Sequence, residues 1–220
     1  MRESLEDREL KQVVLEHSRW LTSQGREGRQ AQLEPFFAYA PQLLAIEIAE
    51  MDLGDSRLPL ADLRYARVID SQLVRVDLYG CQGYQSCFSR SNLTGAQLEG
   101  ANLTETIARR TVFDQANLSR TVFSRADLYQ ASLRGADLRQ ACLAGADLGQ
   151  CDFSRADLRG ADLTGARLTR ADFSQADLRG AVFWDAHLKG ARLLQADLRG
   201  AHIAKRQLAL ASTLQGARLE

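Results

Sequence analysis

From Met51 to Ile203 the chain divides into thirty-one consecutive five-residue slots in one register, and the third residue is Leu, Phe, Ile or Val in all but two, Gly83 and Ala108. The first residue is Ala, Ser, Thr or Cys in every slot except those opening at Met51 and Val76. A period of five defeats both regular alternatives. An α-helix turning about 100° per residue would spread such residues around its whole circumference, and strict alternation in a flat strand would send them to opposite faces. A chain that turns a corner after each short extended stretch buries both positions together, because first and third residues of a stretch point the same way. The period therefore dictates a solenoid whose interior holds one small and one large side chain per side.

A second period sets the number of sides. Ala-Asp-Leu-Arg recurs at Ala136, Ala156, Ala176 and Ala196, twenty residues apart, so four sides close one coil and these copies stack on one face. The pattern Ala-(Asp/Asn)-Leu-x-x, legible at Ala101-Asn102-Leu103, Ala126-Asp127-Leu128, Ala161-Asp162-Leu163 and Ala171-Asp172-Phe173, resembles the pentapeptide repeat family. The resemblance implies an all-β fold, a right-handed quadrilateral parallel β-helix, here with an α-helical cap at its N-terminus. It implies no enzymatic activity.

Sorting third positions into faces gives a uniform ladder that includes Leu138, Leu158, Leu178 and Leu198, and a second face carrying Phe153 and Phe173. Phe88 lies beneath Ala108 and offsets its small volume, whereas Gly83 has no oversized neighbour below it. At roughly 1.5–3 kcal/mol for each buried Leu or Phe, the array needs no metal, cofactor or disulfide to fold. The cysteines agree: Cys81 and Cys151 fall in inward slots, Cys87 and Cys142 fall outside, and the spacings fit neither zinc nor a disulfide framework.

The ends differ in composition. Residues 1–28 hold an amphipathic helix with Leu10, Val13, Val14, His17, Trp20 and Leu21 on one face and Ser4 with Asp7 as a capping pair. It reads as a cover for the first coil, or as a docking helix that presents Trp20. Residues 29–50 read as an irregular first coil, with a loop or short helix as the alternative, because Pro35, Phe36 and Pro41 interrupt the pattern. The array spans 51–205. Register then fails, and 206–220 form a C-terminal cap in which Gln215-Gly216-Ala217-Arg218-Leu219 resumes the motif one residue late.

Function must lie on the outer surface. The chain carries 28 basic and 28 acidic residues, and residues 51–205 hold 20 Lys and Arg against 18 Asp and Glu, a net of +2. The acidic column Asp137, Asp157, Asp177, Asp197 runs beside the basic column Arg139, Arg159, Arg179, Arg199. Some pentapeptide repeat proteins protect DNA gyrase by mimicking DNA, and that alternative function needs about twenty uncompensated negatives over an array of this length. Direct nucleic-acid binding through Arg90, Arg109, Arg110, Arg120 and Arg125 is opposed by Glu99, Glu105 and Asp114 among them. The three histidines lie far apart, and no phosphate loop, catalytic triad or metal-ligand spacing occurs.

What remains is a non-enzymatic scaffold that binds a protein partner. Val182 and Trp184 share one face beside His202 near the C-terminus, where Asp or Asn usually stands at position 182, and with Trp20 they are the candidate contacts. Alternatively the C-terminal segment folds over them, or mediates a homodimer. The lack of an apolar leader or a long apolar run predicts a cytoplasmic protein without a membrane span. The lead-in His17-Ser18-Arg19-Trp20-Leu21 resembles that of bacterial pentapeptide proteins, some of which are associated with secretion-system loci, and implies effector handling as a role.

Overall fold

The structure is a computed structural model that describes residues 12, 13, 15, 16, 19 and 43–219. Each coil takes twenty residues. Second-position residues pair in parallel with their counterparts one coil on, from Asp52 with Gln72 through Asp157 with Asp177 to Val182 with His202. The chain is a right-handed quadrilateral parallel β-helix.

The hydrogen bonds of one side account for every backbone donor and explain the sequence pattern. In the slot opening at Ala156, Asp157 N–H donates to the Ala136 carbonyl of the coil before (2.9 Å). Leu158 and Gly160 donate to Asp177 and Arg179 of the coil after (2.8 and 3.0 Å), and Ala161 closes the corner onto the Leu158 carbonyl (3.0 Å). The fourth N–H, that of Arg159, is left to the Asp157 carboxylate, which accepts it at 3.1 Å. The same bond runs from Thr104 to Asn102 (3.2 Å) and from Thr164 to Asp162 (2.9 Å). Asp and Asn occupy the second position because their short side chains reach back to this corner donor.

Each corner also demands a left-handed residue. The fifth position has φ between 53° and 72° wherever it turns, in 22 non-glycine residues and 11 glycines of the described chain. Glycine adopts this region freely, whereas other residues are strained by roughly 1–2 kcal/mol. Arg, Gln and Asp tolerate the strain here because the same residue's N–H gains a bond to the following coil.

The core follows the third positions. Leu138, Leu158, Leu178, Leu198, Phe153 and Phe173 are all buried, with the Phe153 and Phe173 rings stacked in parallel at 4.9 Å between centroids. Gly83 does have a compensating neighbour, from above rather than below: a Cβ at that position would lie 2.6 Å from the Leu103 side chain, which leans into the space. Hydroxyls in inward small slots are buried without penalty where they find a carbonyl one coil back, as Thr111 does at Phe88 (2.7 Å) and Thr121 at Leu98 (2.8 Å).

Of residues 29–50, those described from Leu43 onward follow the same corner and pairing pattern as the coils after them. Leu43 and Ala45 donate to Asp62 and Arg64 (2.9 and 2.8 Å), and strand Glu47–Ala49 pairs with Arg67–Ile69. Ile46, large for a first-position slot, is only partly buried against the core there. Among the described helical residues, Val13 packs partly buried against the core and Leu15 is exposed. Gln12 donates to Glu16 (3.1 Å), which also pairs with Arg19 (3.6 Å).

At the other end the four-residue helix Lys205–Leu208 absorbs one extra residue. Thr213 and Arg218 then pair with Arg192 and Asp197, one residue out of the earlier register. Gln207 makes this possible. Its side-chain amide donates to the Ala186 and Phe183 carbonyls (2.9 and 2.6 Å), replacing at Ala186 the backbone donor that a regular coil would supply, and its Oε1 accepts from Ala204 N–H (2.9 Å).

The charged columns are neutralised within each corner. Arg159 forks onto Asp157 (2.9 and 2.7 Å), and Arg139, Arg179 and Arg199 do the same with Asp137, Asp177 and Asp197. Hydrogen bonding from Arg199 holds the Asp197 carboxyl at about 2. Asp137 and Asp177 are lowered by the same cause. A carboxyl depressed in the folded state contributes stability fully above its unfolded value of 3.8 and loses it as pH falls through its folded value.

Two outcomes follow from this geometry. Leu158→Asp should lower unfolding free energy by several kcal/mol, the cost of a buried unpaired charge, whereas Asp157→Ala should cost about 1 kcal/mol, the worth of a corner bond; chemical denaturation of the two variants separates them. In scanning calorimetry the melting temperature should hold steady down to about pH 5 and fall below about pH 4, and Asp197→Asn should flatten that fall.

Candidate interaction surface

Surface chemistry changes where the register changes. Val182 has no acceptor to offer the Trp184 N–H, so this corner forgoes the bond that Asp or Asn supplies at positions such as 157 and 162. Trp184 stands in the fourth position, which points away from the core, and its side chain is 63% exposed. The C-terminal segment does not cover it. The indole meets the His202 ring edge-on at 6.2 Å, and His202 is held there by backbone pairing with half-buried Val182.

Trp184 and His202 border a concavity of about 590 Å³ completed by Asp185, Ile203, Arg206 and Gln207. Asp185 and Arg206 sit 4.0 Å apart across it and are both exposed, a pair too solvated to hold the concavity shut. Beyond it the last coil presents Leu210, Leu214 and Leu219, which are 53%, 37% and 48% exposed. Exposed apolar side chains thus lie close to the concavity.

Of the four candidate contacts read from the sequence, the structure brings Val182, Trp184 and His202 together, and Trp20 lies outside the described residues. Sequence reasoning missed Asp185, Arg206 and Gln207. The signal available was Arg206 in a small-residue slot, which marks where the extra residue enters.

Other chemistry is sparse. Among the described residues no group of three or more His, Cys, Asp or Glu is placed to hold a metal ion, and no helix is long and apolar enough to cross a membrane. All four cysteines are free. Burial pushes the Cys81 thiol up to about 12 and raises that of Cys151 as well, which leaves both inert as nucleophiles.

The model of the family described as pentapeptide repeats matches residues 96–135, 131–170 and 166–203. Among solved structures, HetL, a pentapeptide repeat protein involved in heterocyst differentiation regulation from the cyanobacterium Nostoc sp. strain PCC 7120, is 30% identical, with 82% of this chain and 87% of that one covered and a TM-score of 0.31. The pentapeptide repeat protein alr5209 from Nostoc PCC 7120 is 31% identical over 59% of this chain and 84% of its own, with a TM-score of 0.18. Full-length QnrB1, a plasmid-mediated fluoroquinolone resistance protein, is 18% identical over 85% and 94%, with a TM-score of 0.40. No curated protein sequence matches significantly. The whole-chain superpositions are loose, so kinship rests on the repeat model and on sequence identity across most of HetL, and by these the chain belongs to the pentapeptide repeat family.

Proposed function

We propose that the protein is a non-enzymatic interaction scaffold that binds a protein partner through its C-terminal end. The observation that carries this reading is the exposed Trp184 at the lip of the concavity, near the exposed Leu210, Leu214 and Leu219. A large aromatic beside a pocket is a frequent energetic anchor. The charged columns make poorer recognition surfaces, because their carboxylates are already engaged by arginines and recur every coil. A second copy of the chain is the simplest occupant, since it offers the same apolar residues by two-fold symmetry; a different protein docking there serves the same reading. Four unpaired thiols suit a reducing compartment, and the cytoplasm, with effector handling as the pathway, is the setting that fits.

The gyrase-protecting alternative requires a strongly negative cylinder, and the array's net charge of +2, 20 basic less 18 acidic over residues 51–205, weakens it. Supercoiling assays with quinolone should show no protection by the protein, and rescue at micromolar protein would favour the alternative.

Analytical ultracentrifugation tests the end-binding reading. Self-association, or binding to a partner captured by cross-linking, should weaken by about 2 kcal/mol with Trp184→Ala, the size of an anchor truncation, and stay intact with Arg159→Ala. Cross-links confined to the Asp157 and Arg159 columns on a persistent monomer would instead make the side face the functional one.

A further inference from the structure

One edge of the solenoid carries cations that its own carboxylates do not neutralise. Along it Arg90 is engaged by Asp70, Arg109 by Asp127 (2.5 Å) and Arg167 by Asp147 (3.4 Å). Arg110, Arg170 and Lys189 have no carboxylate within ion-pair distance among the described residues. Two concavities run along this edge and meet at Tyr129. One of about 250 Å³ is bordered by Arg109, Arg110 and Gln130, and one of about 580 Å³ by Gly149, Gln150, Arg170 and Lys189.

The polar groups between the cations are ordered in one direction. Arg110 Nε donates to Gln130 Oε1 (2.9 Å), Gln130 Nε2 to Gln150 Oε1 (3.0 Å), and Gln150 Nε2 to the Tyr129 hydroxyl (2.6 Å). Arginine can only donate, so it orients both amides. The Tyr129 oxygen at the end of the chain is an acceptor, and its own proton finds no acceptor among the described residues. The ring is seated on Gly149, where a Cβ would lie 3.0 Å from Tyr129 Cδ2. Gly149 has no left-handed φ to require glycine, so its bareness serves the ring.

We propose that this edge binds an extended acidic protein segment, with one carboxylate at Arg110, a second at Arg170 and Lys189, and the Tyr129 hydroxyl donating to a group between them. Arg110 and Arg170 are three coils apart, about 14 Å at the strand spacing, and four residues of extended peptide span about 13 Å. A continuous polyanion fits less well. Duplex DNA carries about one charge per 1.7 Å, so its phosphates would fall on Asp127 and Asp147 midway along the edge, whereas a peptide with a neutral middle avoids them. The surface is separate from Trp184, so neither site depends on the other.

Fluorescence anisotropy on the full chain at about 50 mM salt tests this with a labelled nine-residue Ser/Ala peptide bearing two glutamates four residues apart. Saturable binding is expected, weakened about tenfold by Arg110→Gln or Arg170→Gln, several-fold by Tyr129→Phe, and unchanged by Arg159→Gln. Moving the glutamates next to each other should also weaken it. Because Arg110, Arg159 and Arg170 are exposed and Tyr129→Phe removes only a hydroxyl, unchanged thermal melts would show that the variants fold. Absence of saturable binding, indifference to Arg110→Gln, or tighter binding of a duplex oligonucleotide of equal charge would overturn the proposal, the last in favour of a nucleic-acid surface.

Discussion

Everything in this solenoid depends on the donor left over at each corner. Four of the five N–H groups in the slot at Ala156 are taken by backbone carbonyls, two of them on the following coil and one on the preceding coil, and the fifth is taken by the Asp157 side chain two residues back. This couples sequence to register twice over. The Asp or Asn that caps the corner also fixes which residue faces out, and the next coil must arrive after twenty residues or its carbonyls miss their donors. An extra residue therefore needs a device to absorb it. At the C-terminal end the device is a single helical turn with Gln207 supplying by side chain what the backbone withholds.

The same arithmetic governs charge. Carboxylates repeated every coil, about 4.8 Å apart, would repel one another, and placing Arg two residues after each Asp answers this inside the same corner. Arg139 lies 2.6 Å from Asp137 but 3.9 Å from Asp157 of the next coil. Such exposed pairs add little stability individually. Their effect is to silence a face. Where arginine is followed one coil later by glutamine instead of a carboxylate, as at Arg110 and Gln130, the cation keeps its charge and gains only direction.

The fold was legible because its determinants are inward and periodic. Leu138 to Leu198 recur at twenty residues, and the break after Ile203 falls where Gln207 enters. The left-handed requirement at fifth positions was not legible, since 22 residues other than glycine, most of them Arg and Gln, occupy these corners alongside glycine in 11; their strain is relieved by bonds to another coil, which a linear reading does not display. Gly83 looked empty for a related reason, as the leaning of Leu103 depends on space in a neighbouring coil. At the candidate surface, Val182, Trp184 and His202 stood out as departures from the motif. Whether the terminal segment covered the indole depended on the path of Lys205–Leu208, which one inserted residue decides.

A solenoid of this kind separates stability from recognition more cleanly than a globular core does. Each coil touches only its neighbours, inward slots are filled by a small set of residues, and outward slots tolerate Val, Tyr, Trp or Arg wherever the corner donor can reach water. Recognition can then be of two physical kinds. An end has a unique sequence, so it recognises by burying apolar surface, and it can do so only once. An edge has a satisfied backbone and recognises by the spacing of side chains along a ruler set by the strand separation. Trp184 and the last coil belong to the first kind and the Arg110 to Arg170 edge to the second. Substitutions on one should leave the other unmoved because no shared core residue must shift between them.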